Sequence, residues 1–222
     1  MSSVFEIIGP PMVGPSSSHT AGAVRIGLLA RLILGEAPIK TKIGLHGSFA
    51  ATGKGHATDR GIVAGLLGWN PDDERIKEAL ILAEQAGLAV EFEMIDLGEA
   101  AHPNSAQIEL IDASGERMEL VAASVGGGSV EVTQIDRFST LLTGTLDVLA
   151  IWHQDRPGFL AHVTAVLACV ASNIATIRTS RRHRGADALT VIELDAVPHP
   201  EVGALLQKMD HVEKLRILPR FV

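Results

Sequence analysis

The sequence predicts an α+β fold in two domains, and three observations carry that expectation. In the first part helical periodicities come early and strand-like runs follow, the pattern of an α+β arrangement. In the last part the element order reads β-α-β-β-α-β, the ferredoxin-like plan. Charge is also unevenly spread along the 222 residues, whose formal net charge is −7. From Thr145 onward nine bases meet eight acids, whereas the residues before it carry ten bases against eighteen acids. A break near residues 138–146 accounts for the contrast, giving domains over 1–140 and 146–222 with a short linker from Phe138 to Thr145.

The first recognisable segment, Ile8-Gly9-Pro10-Pro11-Met12-Val13-Gly14-Pro15-Ser16-Ser17-Ser18-His19-Thr20, holds two glycines and three prolines, too many for regular structure. Helical spacing follows, with Val24, Leu28, Leu29, Leu32 and Ile33 on one side and Arg25 and Arg31 toward solvent. Ser16-Ser17-Ser18-His19-Thr20 therefore falls at a helix N-terminus, where Ser is a preferred cap. Ile39, Thr41, Ile43 and Leu45 alternate with Lys40, Lys42, Gly44 and His46, as in a half-buried strand. A second helix is expected from Asp59 to Leu67. Asn70-Pro71-Asp72-Asp73-Glu74 reads as an Asn cap, a Pro at the first helical position and acids in the first turn of a helix to about Gln85. Strands are expected over 89–96, 105–112, 117–124 and 129–136, with a turn at Asp112-Ala113-Ser114-Gly115.

In the last part a strand over 146–153 leads to Asp155-Arg156-Pro157-Gly158, which opens a helix with Phe159, Val163, Val166, Leu167 and Val170 on one face. Strands over 174–183 and 188–195, a short helix over 200–209 and a strand over 213–218 complete it. Here Asp-x-Pro-Gly-x-Leu at the first strand-to-helix turn resembles the ACT domain, an amino-acid-sensing module. That resemblance implies an effector site at the Pro157-Gly158 turn, with Asn173 placed opposite Gly158 by the family's pairing, and pairing with a second ACT copy through the sheet edge and helices. Ala171 stands where the family's usual Gly precedes the Asn by two.

Composition excludes several classes. With 46% hydrophobic residues the chain buries enough surface to offset its ordering entropy. Aromatics are 4% and tyrosine is absent, so the cores are expected to be aliphatic. One cysteine, Cys169, forms no internal disulfide and holds no Cys-rich zinc site or iron–sulfur cluster by itself; it is expected as a buried thiol. The N-terminus has no signal-peptide pattern and no window reaches 18 uninterrupted apolar residues, so the expectation is a soluble, cytoplasmic protein with no membrane contact. The acidic balance argues against nucleic acid. Arg178, Arg181, Arg182 and Arg184 lack interleaved aromatics, and read as a solvated or partner-facing hairpin.

Two loops carry chemistry. At the first, backbone N–H groups, the positive helix end and the hydroxyls of Ser16, Ser17, Ser18 and Thr20 suit a carboxylate or phosphate, beside a proton-moving His19. The plainer reading is a helix cap with a surface histidine, although capping needs one serine and three are present. The second loop, Gly47-Ser48-Phe49-Ala50-Ala51-Thr52-Gly53-Lys54-Gly55-His56-Ala57-Thr58-Asp59, is not a P-loop, since Ser48 stands where Gly is required and Gly55 follows the lysine. It leaves Lys54 as a positive charge and His56 as a base after a strand, where small anions bind, or else a flexible surface turn. His102-Pro103-Asn104-Ser105 reads as part of the same site or as a turn, and Gly126-Gly127-Gly128 as a turn.

Taken together, Ile8-Gly9-Pro10, Gly14 to Gly22, Gly47-Ser48-Phe49-Ala50, Thr52 to Asp59, His102-Pro103-Asn104 and Gly126-Gly127-Gly128 resemble the β subunit of iron–sulfur-dependent L-serine dehydratases. The first domain of that family is similar to the allosteric-substrate-binding domain of some phosphoglycerate dehydrogenases. The resemblance implies conversion of L-serine to pyruvate and ammonia without pyridoxal phosphate, with a 4Fe-4S cluster as Lewis acid. It assigns Ser16, Ser17, Ser18, Thr20, Thr52, Lys54 and Asn104 to the substrate, and His56, then His19, to proton abstraction. With one cysteine here, it also implies a cysteine-bearing α subunit that holds the cluster. A non-catalytic amino-acid-sensing regulatory subunit is the alternative.

Overall fold

The computed structural model describes residues 11–53 and 55–220. Ile8-Gly9-Pro10 and Lys54 of the expected motifs lie outside them. The chain folds as two compact units, the first ending at Arg137 and the second beginning at Phe138.

In the first unit the stretch expected to be irregular up to Thr20 instead forms a π-helical turn, Ser17–Ala21, which runs directly into α1 (Gly22–Leu34), because its prolines all precede Ser16. Then come β1 (Pro38–Leu45), α2 (Gly47–Thr52), α3 (Thr58–Leu66), a 3-10 turn (Glu74–Glu78), α4 (Ala79–Gln85), β2 (Ala89–Met94), β3 (Ser105–Asp112), β4 (Arg117–Gly126) and β5 (Ser129–Ile135). The strands are ordered β2-β1-β3-β4-β5. β1 runs parallel to β2 and antiparallel to β3, with Leu45 opposite both Met94 and Ala106.

Helix α1 is the centre of this core: Ala23, Val24, Ile26, Leu29, Ala30 and Ile33 are fully buried. It packs on β4 and crosses α3 at glycines. A Cβ on Gly27 would lie 2.1 Å from the Ile62 carbonyl oxygen, and one on Gly65 would lie 2.1 Å from that of Val24. Both distances are far below van der Waals contact, so only glycine permits this crossing.

Four local expectations need correction. Arg25 and Arg31 do not face solvent: the Arg25 guanidinium donates to the Gly128 carbonyl at 2.8 Å and Arg31 to that of Leu66 at 2.9 Å. Each satisfies a carbonyl at a chain turn or helix end, and Gly126-Gly127-Gly128 is the β4–β5 hairpin turn that Arg25 holds. Ile39 is 47% exposed, because the strand's inward face begins only at Thr41. The helix expected to start beside Asn70 begins at Glu74, since Asp73 is extended and its carboxylate accepts from Arg75 N.

The supposed linker is a strand, β6 (Phe138–Leu142), because Phe138 and Leu142 are both buried. In the second unit the Arg182 guanidinium lies 5.5 Å over the Phe138 ring and the Ser180 hydroxyl donates to the Ser139 carbonyl. β7 (Asp147–Gln154), α5 (Phe159–Cys169), β8 (Ile174–Arg181), β9 (Asp187–Leu194), α6 (Pro200–Gln207) and β10 (Val212–Leu218) follow. Their sheet order, β10-β7-β9-β8 with all neighbours antiparallel, is the ferredoxin-like arrangement of an ACT domain. Phe159, Val163 and Leu167 of α5 pack with Leu149, Ile151, Ile192, Leu194, Val202 and Leu206. Cys169 is exposed rather than buried, and Val170 is 47% exposed. The helix ends at Cys169, whose side chain sits about 200° around the axis from Leu167. No described helix is long and apolar enough to cross a membrane.

Candidate functional site

The two motif loops meet at one corner of the first unit, beyond the C-terminal end of β1. The geometry follows from register: His46 continues β1, and its N–H donates to the Ser105 carbonyl at the start of β3. Ser48 N then donates to the Pro103 carbonyl at 2.7 Å, so the 102–105 turn sits against the first turn of α2. Gly47 makes that approach possible. Its φ is +56°, and a Cβ there would lie 2.7 Å from the Pro103 oxygen.

The serine-rich loop is locked from within and from across. Ser16 Oγ accepts from His19 N at 3.2 Å and lies 3.5 Å from His19 Nδ1. His19 Nε2 lies 3.1 Å from Ser48 Oγ. Thr20 is buried and donates its hydroxyl to the His56 carbonyl at 3.0 Å. Thr52 Oγ1 donates back to the Ser48 carbonyl at 2.8 Å. Ser16, Ser17, Ser18 and His19 are half-buried, forming the mouth of the π-helical turn. Such turns recur at functional sites because the widened ring frees backbone groups from the regular ladder.

The two histidines face each other. The ring centroids of His19 and His56 are 5.1 Å apart at 48°, while Phe49 meets His19 edge-on at 5.3 Å. Burial, reinforced by His56, holds the His19 pKa below the usual histidine value, partly opposed by a hydrogen bond with the Ser48 backbone. Neutral His19 is therefore favoured at neutral pH. His56 is exposed at the rim. It is followed by Ala57 at φ +60°, a left-handed conformation that costs an alanine about 1 kcal/mol. The next residue, Thr58, has a buried hydroxyl without a partner.

Of the expected site residues, Ser16, Ser17, Ser18, His19, Thr20, Thr52 and His56 come together. Asn104 is near the same corner, but its side-chain amide donates to the Ser124 carbonyl at 3.4 Å. Ser48 carries a contact that sequence reasoning did not assign. Its signal was its place in the strand-to-helix turn, one residue after Gly47. Ser124 was also missed: its hydroxyl is buried without a partner, and a Cβ on Gly22 would collide with it at 2.1 Å. In the second unit, Gly158 caps the start of α5 and Asn173 follows its end, at opposite ends of one helix within a single copy. Asn173 instead donates to Asp195 Oδ2 at 2.6 Å.

An iron–sulfur cluster does not fit the donors of this chain. Its one cysteine lies in the second unit, and among the described residues no three His, Cys, Asp or Glu side chains converge.

The family described as serine dehydratase beta chain matches residues 3–134. The chain is 45% identical over 193 residues to the probable L-serine dehydratase, beta chain, of Bacillus subtilis (strain 168), covering 87% of each. To the L-serine dehydratase, beta chain, of Peptoniphilus asaccharolyticus it is 38% identical over 193 residues, again covering 87% of each. It is also 45% identical over 85 residues to L-serine dehydratase TdcG of Escherichia coli (strain K12), covering 35% of this chain and 18% of that protein. Among solved structures, the ACT domain of a GTP pyrophosphokinase from Chlorobium tepidum aligns with 33% of this chain and 96% of that one, at 19% identity and a TM-score of 0.28. The fold of the second unit rests on its own strand order.

Proposed function

The chain belongs to the serine dehydratase beta chain family, and from that premise we propose that its first unit supplies the serine-binding and proton-abstracting half of an L-serine dehydratase. The observation that carries the proposal is the convergence of the serine-rich turn and the His56 loop on one pair of facing histidines. The reaction is loss of ammonia from L-serine to give pyruvate.

Ser17, Ser18 and the free N–H groups at the mouth of the turn receive the substrate carboxylate, in the field of the 18-residue run of helical backbone that ends at Leu34. Lys54 adds positive charge from the second loop. His56, exposed at the rim, takes the α-proton. The electron pair it releases forms the Cα–Cβ double bond as the hydroxyl leaves Cβ. The resulting 2-aminoacrylate tautomerises to the imine, and water hydrolyses it to pyruvate and ammonium. Neutral His19, anchored at both ring nitrogens beside serine hydroxyls, positions the site and offers no competing positive charge to His56.

The other half comes from a second chain. The names of two relatives specify a beta chain, and a third relative carries the matching segment as 18% of a longer dehydratase. In this reading the partner is an α subunit whose cysteines would hold a 4Fe-4S cluster, which would supply Lewis acidity at the substrate hydroxyl. Co-expression of both chains under anaerobic conditions tests the proposal. Serine-dependent pyruvate should form only when both are present, and should be lost with His56→Ala. Serine binding without turnover in the assembled complex would instead mean a sensing subunit.

A further inference from the structure

The second unit holds a cleft that none of the expected residues accounts for. It has a volume of about 580 Å³ and lies between α5 and α6, floored by Phe159 and Val166 and walled by Leu205. Neither Gly158 nor Asn173 lines it. Such a volume suits a small molecule rather than a water or two. The apolar walls are unusually bare: α5 carries no Asp, Glu, Lys or Arg, and Leu205 is 54% exposed.

Polar groups gather at the mouth. Arg156, His162 and His211 all line the cleft, against a single acid in its lining, Asp210. Arg156 makes one long contact, 3.5 Å to the Gln154 side-chain oxygen, and no ion pair with a described residue. A guanidinium next to an apolar trough and without a carboxylate partner is a receptor for one. From this arrangement we infer that the cleft binds a small carboxylate with an apolar tail. The carboxylate engages Arg156 with the two histidines beside it, and the tail lies over Phe159, Val166 and Leu205.

Occupancy would reach the core directly. The floor residue Phe159 stacks on the buried His153 ring, centroids 3.8 Å apart at 12°. His153 Nε2 in turn lies 2.8 Å from the Thr190 hydroxyl on β9.

The test is titration of the purified full chain with hexanoate, followed by calorimetry. Saturable hexanoate binding is expected. Hexanamide, with the same tail and no charge, should bind at least about tenfold more weakly, the size of one lost charge-assisted hydrogen bond. Arg156→Ala should weaken hexanoate by a similar factor, and Leu205→Glu should abolish it. Both positions are exposed, so either variant should fold. Absence of hexanoate binding, or equal binding by Arg156→Ala, would overturn the inference. So would a change in association state on Leu205→Glu without ligand, since the trough would then be a surface covered by protein.

Discussion

His19 Nε2 lies 3.1 Å from Ser48 Oγ, joining two loops whose contact residues are 29 positions apart in the chain. Burial lowers the pKa of this histidine, and the hydrogen bond that partly opposes it comes from the Ser48 backbone, not from its hydroxyl. Ser48→Ala should therefore keep that backbone contribution while freeing the His19 ring, as followed by NMR of the ring nitrogens. Loss of ring positioning should lower kcat by about tenfold in the assembled enzyme, with a smaller effect on KM. An unchanged kcat would show that the hydroxyl bond does not position the ring.

The α1–α3 crossing gives a prediction about stability. Gly65→Ala drives a methyl into the Val24 carbonyl, so the helices must separate. The expected loss is about 3 kcal/mol or more, read from the urea midpoint. Gly55→Ala, where the nearest neighbour of the new methyl is 3.6 Å away, should cost less than about 1 kcal/mol. Equal midpoints for the two variants would contradict the packing described.

Acid should weaken the second unit through His153. Burial is the largest influence on this ring and holds its pKa below the ordinary value, outweighing its hydrogen bond to the Gln154 carbonyl and nearby Asp155 and Glu213. The unfolded chain takes up a proton near about pH 6.5, before the folded chain does. Stability is then full above that pH and falls as the pH drops toward the folded value. His19 acts in the same direction. The melting temperature should decline between pH 7 and pH 5, with a shallower slope in His153→Gln. An unchanged slope would remove His153 as a cause.

Much of this was legible because the signals were local. The strand expected over 105–112 is β3 at those bounds, and the serine-rich turn opens a helix as its capping chemistry requires. The strand order of the second unit was implied by its element order. What was not legible depended on distant contacts. Nothing near Arg25 or Arg31 shows that carbonyls at Gly128 and Leu66 take their guanidinium groups. β6 escaped because its polar residues resemble a linker until Phe138 and Leu142 are seen to be buried. Gly27 and Gly65 break an apolar pattern in sequence and make the closest helix contact in space. The site shows the same division. Its histidines and serines stood out by type, whereas the role of Ser48 needed the register that brings α2 beside the first loop.

The central claim is that the facing histidines of the first unit serve serine deamination and that His56 takes the proton. Its most direct test is the rate of serine-dependent pyruvate formation by the anaerobically assembled two-chain enzyme carrying His56→Ala. Assembly is checked by gel filtration, and serine binding by calorimetry. The account predicts an intact complex that still binds serine and turns over at least about a hundredfold more slowly, the usual contribution of a general base. Undiminished turnover by that complex would contradict it.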